Sequence, residues 1–120
     1  MDCGVYAMKL EAILPEIYTF IDFAKHEYYK AQRRGEHIYT SHLGGGIPDN
    51  HPMPYNVYIP VRDYLKKNPE EIDNIIDYLY DEFNKKEYSF KNVSVSESTY
   101  TERKGLFKKE YPQIDVTLEW

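Results

Sequence analysis

Segment 41–54, SHLGGGIPDNHPMP, holds several side chains that could do chemistry. His42, Asp49 and His51 lie close together in it, and imidazole and carboxylate groups are common ligands of divalent metal ions. No helical or strand spacing fixes these three side chains in one geometry, so histidines exposed on a loop are the better interpretation. We therefore predict no metal site and no cofactor.

Three consecutive glycines in the same segment invite comparison with phosphate-binding loops. Such a loop needs GxxxxGK[ST] between a strand and a helix, or GxGxxG at the start of a helix. The sequence GGGIPDN has no lysine, and the pattern that follows it predicts a strand. A flexible connection, with a turn at Asp49 and Asn50 between two prolines, is the better explanation.

Motifs for catalysis are also incomplete. The run HEYYK at 26–30 lacks the second histidine of HExxH, and His37 has no recognisable carboxylate partner in the sequence. Cys3 is the single cysteine, which excludes an intrachain disulfide and a four-thiolate metal site, and no base can be assigned to it. We therefore predict that the protein is not an enzyme. An enzyme that uses the loop histidines is a third alternative.

An acidic segment is the most unusual feature of the charge distribution. Residues 68–84, NPEEIDNIIDYLYDEFN, carry six carboxylates and no lysine or arginine. Residues 1–67 contain eight acidic and eight basic residues, and residues 85–120 contain six and seven, so the net charge of −5 comes from this segment. A helix dipole favours carboxylates in the first turns, but it does not explain Asp77 and Asp81 further along.

The carboxylates Asp73, Asp77 and Asp81 are like charges at i, i+4 spacing, which costs a helix about 0.2–0.5 kcal/mol per pair. A solvated surface that tolerates this cost is the simplest explanation. Pairing with the basic run RKGLFKK at 103–109 is a second. A partner with a basic surface, attracted by the negative field, is the third and the only functional one. Its expected binding residues are Glu70, Asp73, Asp77, Tyr78, Tyr80 and Asp81.

Two helices should position these groups. Apolar residues at three- and four-residue spacing predict a helix over 15–34, which Gly35 ends. The conformation of residues 1–14 stays open, with a break expected before Pro15. A second helix is predicted over 68–84, with Asn68 as N-cap and Glu71 completing a capping-box arrangement. Its expected buried face comprises Ile72, Ile75, Ile76, Leu79 and Phe83.

Alternation predicts the strands. In YNVYIPV at 55–61 every second residue is apolar or aromatic, and Pro60 would place this strand at a sheet edge. Similar alternation from Tyr88 onward and over 112–120 predicts two strands joined through RKGLFKKEY, in which Gly105 can take a positive φ. We predict a single α+β domain over residues 1–120, with two main helices on a mostly antiparallel sheet of three or four strands and a long loop over 42–54.

Composition restricts the setting. The 42% apolar content is typical of a globular domain, and no apolar run reaches the roughly 18 residues that span a bilayer. The first residues do not resemble a signal peptide, so we predict a cytoplasmic protein without membrane contact. Thirteen tyrosines against five phenylalanines indicate a thin core or an interaction surface.

The leading hypothesis is a small, acidic, non-catalytic protein that binds a basic protein surface, such as that of a nucleic-acid-binding protein. An inhibitor or antitoxin-like role, of the kind found on phages and mobile elements, is consistent with its size and charge. The negative net charge argues against direct nucleic-acid binding. A homodimer is expected to be twofold if it forms.

The alternative is a small-ligand binding protein, for a nucleotide or metabolite, with the 42–54 loop as a lid. The polar contacts would come from His42, Asp49, His51, Tyr55 and Arg62.

Overall fold

The computed structural model describes residues 11–47, 53–85 and 88–120, without the side chain of Tyr55. Three helices and three strands follow one another as α1 (Leu14–Arg33), β1 (Ile38–Gly44), α2 (Tyr55–Lys67), α3 (Ile72–Phe83), β2 (Asn92–Lys104) and β3 (Phe107–Glu119), with a 3-10 turn (Pro69–Glu71) before α3. The predicted α+β class is confirmed; the described residues contain three helices, where two main helices were expected. Cys3, Asp49 and His51, which the sequence analysis considered as possible functional residues, lie outside the described residues.

Helix α1 follows the apolar stripe that the sequence predicts. All six members of that stripe are buried: Ile17, Phe20, Ile21, Ala24, Tyr28 and Ala31. The helix begins at Leu14, with Pro15 in its first turn. Gly35 follows its end with φ +81°, a conformation that glycine adopts at little steric cost.

Helix α2 replaces the strand predicted over 55–61, and that prediction was wrong. Val57, Val61 and Leu65 repeat every four residues and are buried, so the core selects a helical period that continues beyond the alternating stretch. Pro60 lies inside the helix rather than on a sheet edge. Because proline has no N–H, it removes one helical hydrogen bond, a cost that packing of the helix against β1 and β3 must offset.

The acidic segment is helical as predicted, but its start differs. A 3-10 turn precedes α3, and no side-chain hydrogen bond caps either element. The side-chain amide of Asn68 instead donates to the carbonyl of Tyr64 at 3.0 Å, so Asn68 caps the end of α2. Glu71 is 1% exposed and accepts a hydrogen bond from Asn74 at 2.7 Å. The predicted capping box is therefore wrong.

The sheet is antiparallel, with β3 in the centre between β1 and β2. Ile114, Val116 and Leu118 of β3 are fully buried in the core that the helices share. The two predicted C-terminal strands are confirmed, but their connection is much tighter than expected. The strands pair as far as Lys104 and Phe107, around Gly105 at φ +60°. Since β1 pairs with the 113–119 half of β3, the other half of the hairpin is a two-stranded ribbon.

Strand β1 corrects the predicted loop. Residues 38–44 pair with β3 over their whole length, so the connection to α2 starts after Gly44 rather than before His42. The pairing places His42 directly opposite Asp115.

Candidate functional site

A cavity of about 530 Å³ lies at the outer edge of β1. Four consecutive β1 residues line it, although successive side chains of a strand point to opposite faces of the sheet. The cavity therefore extends around the strand edge instead of lying on one face. We call it the β1 cavity; its lining residues are Phe23, Tyr39, Thr40, Ser41, His42, Gly46, Ile47, Met53, Tyr58, Tyr100 and Gln113.

His42 is held by a hydrogen-bond network that spans the sheet. Its Nδ1 lies 2.6 Å from Oδ1 of Asp115, and the amide nitrogen of Gln113 donates to the same carboxylate oxygen at 3.1 Å. The Gln113 carbonyl oxygen accepts the backbone N–H of Gly46 at 3.3 Å. Because Asp115 occupies Nδ1, the group that His42 can offer to a ligand is Nε2.

The ionised form of Asp115 is favoured by this network. Partial burial acts to raise the pKa of Asp115, but hydrogen bonds from His42, Ser98 and Gln113 together outweigh it and lower the pKa. A carboxylate that stays charged holds the imidazole ring in one orientation. A His–carboxylate pair of this kind can transfer protons. However, the described hydrogen bonds of His42 reach no hydroxyl or thiol that it could activate.

The three consecutive glycines, of which Gly44 ends β1 and two follow it, are explained by close packing. Gly44 and Gly45 have φ of +79° and +61°, values that other residues rarely adopt. A Cβ atom would also press on a different neighbour at each position: Leu65 at Gly44, Gln113 at Gly45 and the Tyr100 ring at Gly46. The glycine run therefore lets the chain turn closely past the sheet, and its last member, Gly46, lines the β1 cavity. This role in packing explains the run without a phosphate.

The ligand residues expected from the sequence are not all brought together. His42 lines the β1 cavity, whereas Arg62 lines a separate cavity beside the β2–β3 ribbon. Asp49, His51 and the side chain of Tyr55 lie outside the described part of the structure. Within that part, no group of three or more His, Cys, Asp or Glu side chains could hold a metal ion.

Sequence reasoning missed Asp115, Gln113 and Tyr100. The alternation over 112–120 does place Asp115 on the polar face of its strand. That signal does not identify a partner, because His42 is 73 residues away and only the register of β1 against β3 brings the two together.

The acidic face of α3 is the second candidate site. Glu70, Asp73, Asp77 and Asp81 are exposed, and no ion pair between described residues involves them. We call these four residues the acidic surface. Tyr80 is 48% exposed beside it.

Tyr78, which was predicted as a member of this face, and Glu82, which was not, have different surroundings. Tyr78 is half-buried and packs against the core. Glu82, a further carboxylate of the segment, pairs with Lys85 at 2.9 Å.

The basic run 103–109 does not neutralise the acidic surface. Lys104 pairs with Glu102 at 3.4 Å, and Lys108 pairs with Glu110 at 3.0 Å, so both lysines are matched within their own hairpin.

Comparisons with known proteins place these sites in no family. No protein-family model, curated protein or solved structure matches the chain. No helix in the described ranges is long and apolar enough to cross a membrane. Function must therefore be argued from the two candidate sites.

Proposed function

We propose that this protein binds a small molecule in the β1 cavity. The observation that carries the proposal is the lining: aromatic and aliphatic side chains surround a few polar groups, one of which is an imidazole held in place by a carboxylate. Small-molecule sites are usually concave, mostly apolar and of about 300–1,000 Å³, with a few polar groups that orient the ligand.

The lining indicates the chemistry of the ligand. Four aromatic rings line the cavity, one each from α1, β1, α2 and the ribbon: Phe23, Tyr39, Tyr58 and Tyr100. Such a lining suits a flat, apolar molecule. No lysine, arginine, aspartate or glutamate is among the described lining residues, so a neutral ligand avoids an uncompensated buried charge. One hydrogen-bonding group on the ligand would meet Nε2 of His42.

A screen of neutral aromatic fragments by thermal shift and by 1H–15N spectra tests this proposal. At 100 times its Kd a ligand stabilises the fold by about 2.7 kcal/mol. The His42→Ala variant should weaken binding of a hit by about threefold to tenfold, a typical consequence of losing one hydrogen bond. His37→Ala, which removes an exposed histidine outside the cavity lining, is the matched control. Absence of any saturable hit, or equal loss in both variants, would refute the proposal.

A second candidate function is binding of a basic protein through the acidic surface. It is supported by four exposed carboxylates that have no ion pair with any described residue. An arrangement of this kind steers a positively charged partner towards it. Under this hypothesis the protein acts as an inhibitor or antitoxin-like binder without catalysis.

The double variant Asp73→Lys, Asp77→Lys tests the second candidate by pull-down from the native host at low salt. Asp22→Lys, Asp63→Lys is the matched control, because it makes the same charge change at exposed positions on α1 and α2. A partner that the first variant loses and the control keeps would support the acidic surface. Equal capture by both variants would exclude it.

A further inference from the structure

A second cavity, of about 460 Å³, lies between α2 and the ribbon of the β2–β3 hairpin. It shares no lining residue with the β1 cavity. We call it the ribbon cleft; it is lined by Arg62, Glu102, Lys104, Phe107, Lys109 and Tyr111.

Strand register explains why these hairpin residues share the cleft. Glu102 pairs with Lys109 and Lys104 pairs with Phe107, and alternate residues along each strand point to the same face. Arg103 pairs with Lys108 on the intervening positions, so these two cations lie on the opposite face of the ribbon. The hairpin therefore divides its basic residues between its two faces.

The cleft is positively charged although the chain carries a net charge of −5. Arg62, Lys104 and Lys109 line it, and Glu102 is the acidic residue of the lining, 3.4 Å from Lys104. The guanidinium carbon of Arg62 lies 4.8 Å from the centre of the Tyr111 ring. The ammonium group of Lys66 also lies 4.7 Å from this centre, although Lys66 is not among the residues that line the cleft.

Arg62 has a donor that is not satisfied within the described structure. Its Nε is buried and has no hydrogen-bond partner among the described residues. A buried N–H without an acceptor is costly, and a guanidinium group matches the oxygen atoms of an oxyanion especially well. An anion in the cleft would offset the repulsion among the cations, and a turn of the Arg62 side chain would be needed to bring Nε within hydrogen-bond distance of it.

We propose that the ribbon cleft binds a small organic phosphate monoester. Such a group carries a charge of about −1.5 to −2 at neutral pH and has three acceptor oxygens, which suits several cations better than a single carboxylate does. Phe107 is 77% exposed and lines the same cleft, so it offers a surface for an apolar organic group. This inference is independent of the ligand proposed for the β1 cavity.

Phenyl phosphate is the test probe, titrated at constant ionic strength while the 15N-labelled protein is followed by NMR, including the Nε–H resonance of Arg62. Benzoate, which has a similar ring and a single charge, is the comparison. Saturable binding of phenyl phosphate that is at least tenfold tighter than that of benzoate is expected, with a shift of the Arg62 Nε–H resonance. Equal affinities, or an unmoved Arg62 resonance at saturation, would overturn the assignment.

Matched variants distinguish binding at a defined site from general electrostatic attraction to the ribbon. Lys109→Met removes a cation from the cleft, whereas Arg103→Met removes one from the other face of the same ribbon. Both positions are exposed, so neither change disturbs the core. We expect a roughly tenfold loss of phenyl phosphate affinity for Lys109→Met and less than a twofold loss for Arg103→Met. Equal losses, or no saturable binding to the unmodified protein, would overturn the proposal.

Discussion

His42 and Asp115 face each other across the β1–β3 pair, with Nδ1 and Oδ1 2.6 Å apart. The carboxylate also accepts a hydrogen bond from Gln113, whose carbonyl oxygen anchors the glycine run at Gly46. This contact therefore connects the strand register, the turn after β1 and the wall of the β1 cavity. We therefore expect single substitutions in β3 to alter the cavity.

Asp115→Asn should lower the free energy of unfolding at neutral pH by about 1 kcal/mol, because it weakens hydrogen bonds to a charged but partly exposed group. The fold lowers the pKa of Asp115 below its ordinary value of 3.8. The ionised carboxylate therefore stabilises the fold above that value, and its contribution is lost as the pH falls through the folded-state pKa. Urea unfolding between pH 2.5 and 7 should show the variant and the unmodified protein converging in acid. A constant difference would contradict this linkage.

Gly45→Ala should destabilise the protein more than Gly105→Ala does. Both glycines have φ near +60°, so both substitutions incur a cost of about 1–2 kcal/mol for the left-handed conformation. A Cβ at Gly45 would also lie 2.8 Å from Cβ of Gln113, whereas one at Gly105 meets nothing within 4 Å. The crowding should add about 1–3 kcal/mol, measured as the difference in unfolding free energy between the two variants. Equal effects would show that crowding at Gly45 is relieved without cost.

Asp77→Lys should stabilise the fold by about 0.5–1 kcal/mol at low salt. The change converts two repulsive i, i+4 pairs, with Asp73 and Asp81, into attractive ones. The gain should shrink as salt is added, because exposed charges are screened. Asp63→Lys is the control, since its i+4 neighbour is Lys67 and the change creates repulsion. Thermal unfolding at two salt concentrations measures both effects, and a stabilised control would contradict the argument.

Four tyrosines should titrate late in alkali. Burial raises the pKa of Tyr28, Tyr39, Tyr58 and Tyr64 above the ordinary value of 10.0. Because the fold favours their neutral form, their contribution to stability is complete below pH 10 and is lost as the pH rises further. Absorbance of phenolate near 295 nm should show a late phase that coincides with unfolding. Tyr39→Phe should reduce that phase, and an unchanged late phase in this variant would contradict the assignment.

Local periodicity was enough to predict most of the fold. The stripe of α1, the buried face of α3 and the alternation in β2 and β3 each repeat over several turns or residue pairs, so one structure fits each of them much better than its alternative. The acidic surface could be predicted in the same way, because its residues lie opposite a strongly apolar face of the helix.

Patterns that are short, or that are compatible with two local structures, were not enough to predict the element. Residues 55–61 alternate as a strand does, and only Leu65 and the packing of Val57 and Val61 against the sheet select the helical period. Asn68 stands between two helical elements, and its amide caps the first where the sequence suggested the second. In both cases two local solutions are close in free energy, and tertiary contacts decide between them.

The sequence by itself determined the α+β class, the exposed acidic row and the buried faces, because these depend on residue periods within one element. The tertiary structure decided which side chains meet: His42 with Asp115, Arg62 with the ribbon, and each glycine of the run with its own neighbour. The physical reason is that these contacts depend on strand register and on the path of the chain around the sheet edge. Neither is encoded in the spacing of residues along one segment.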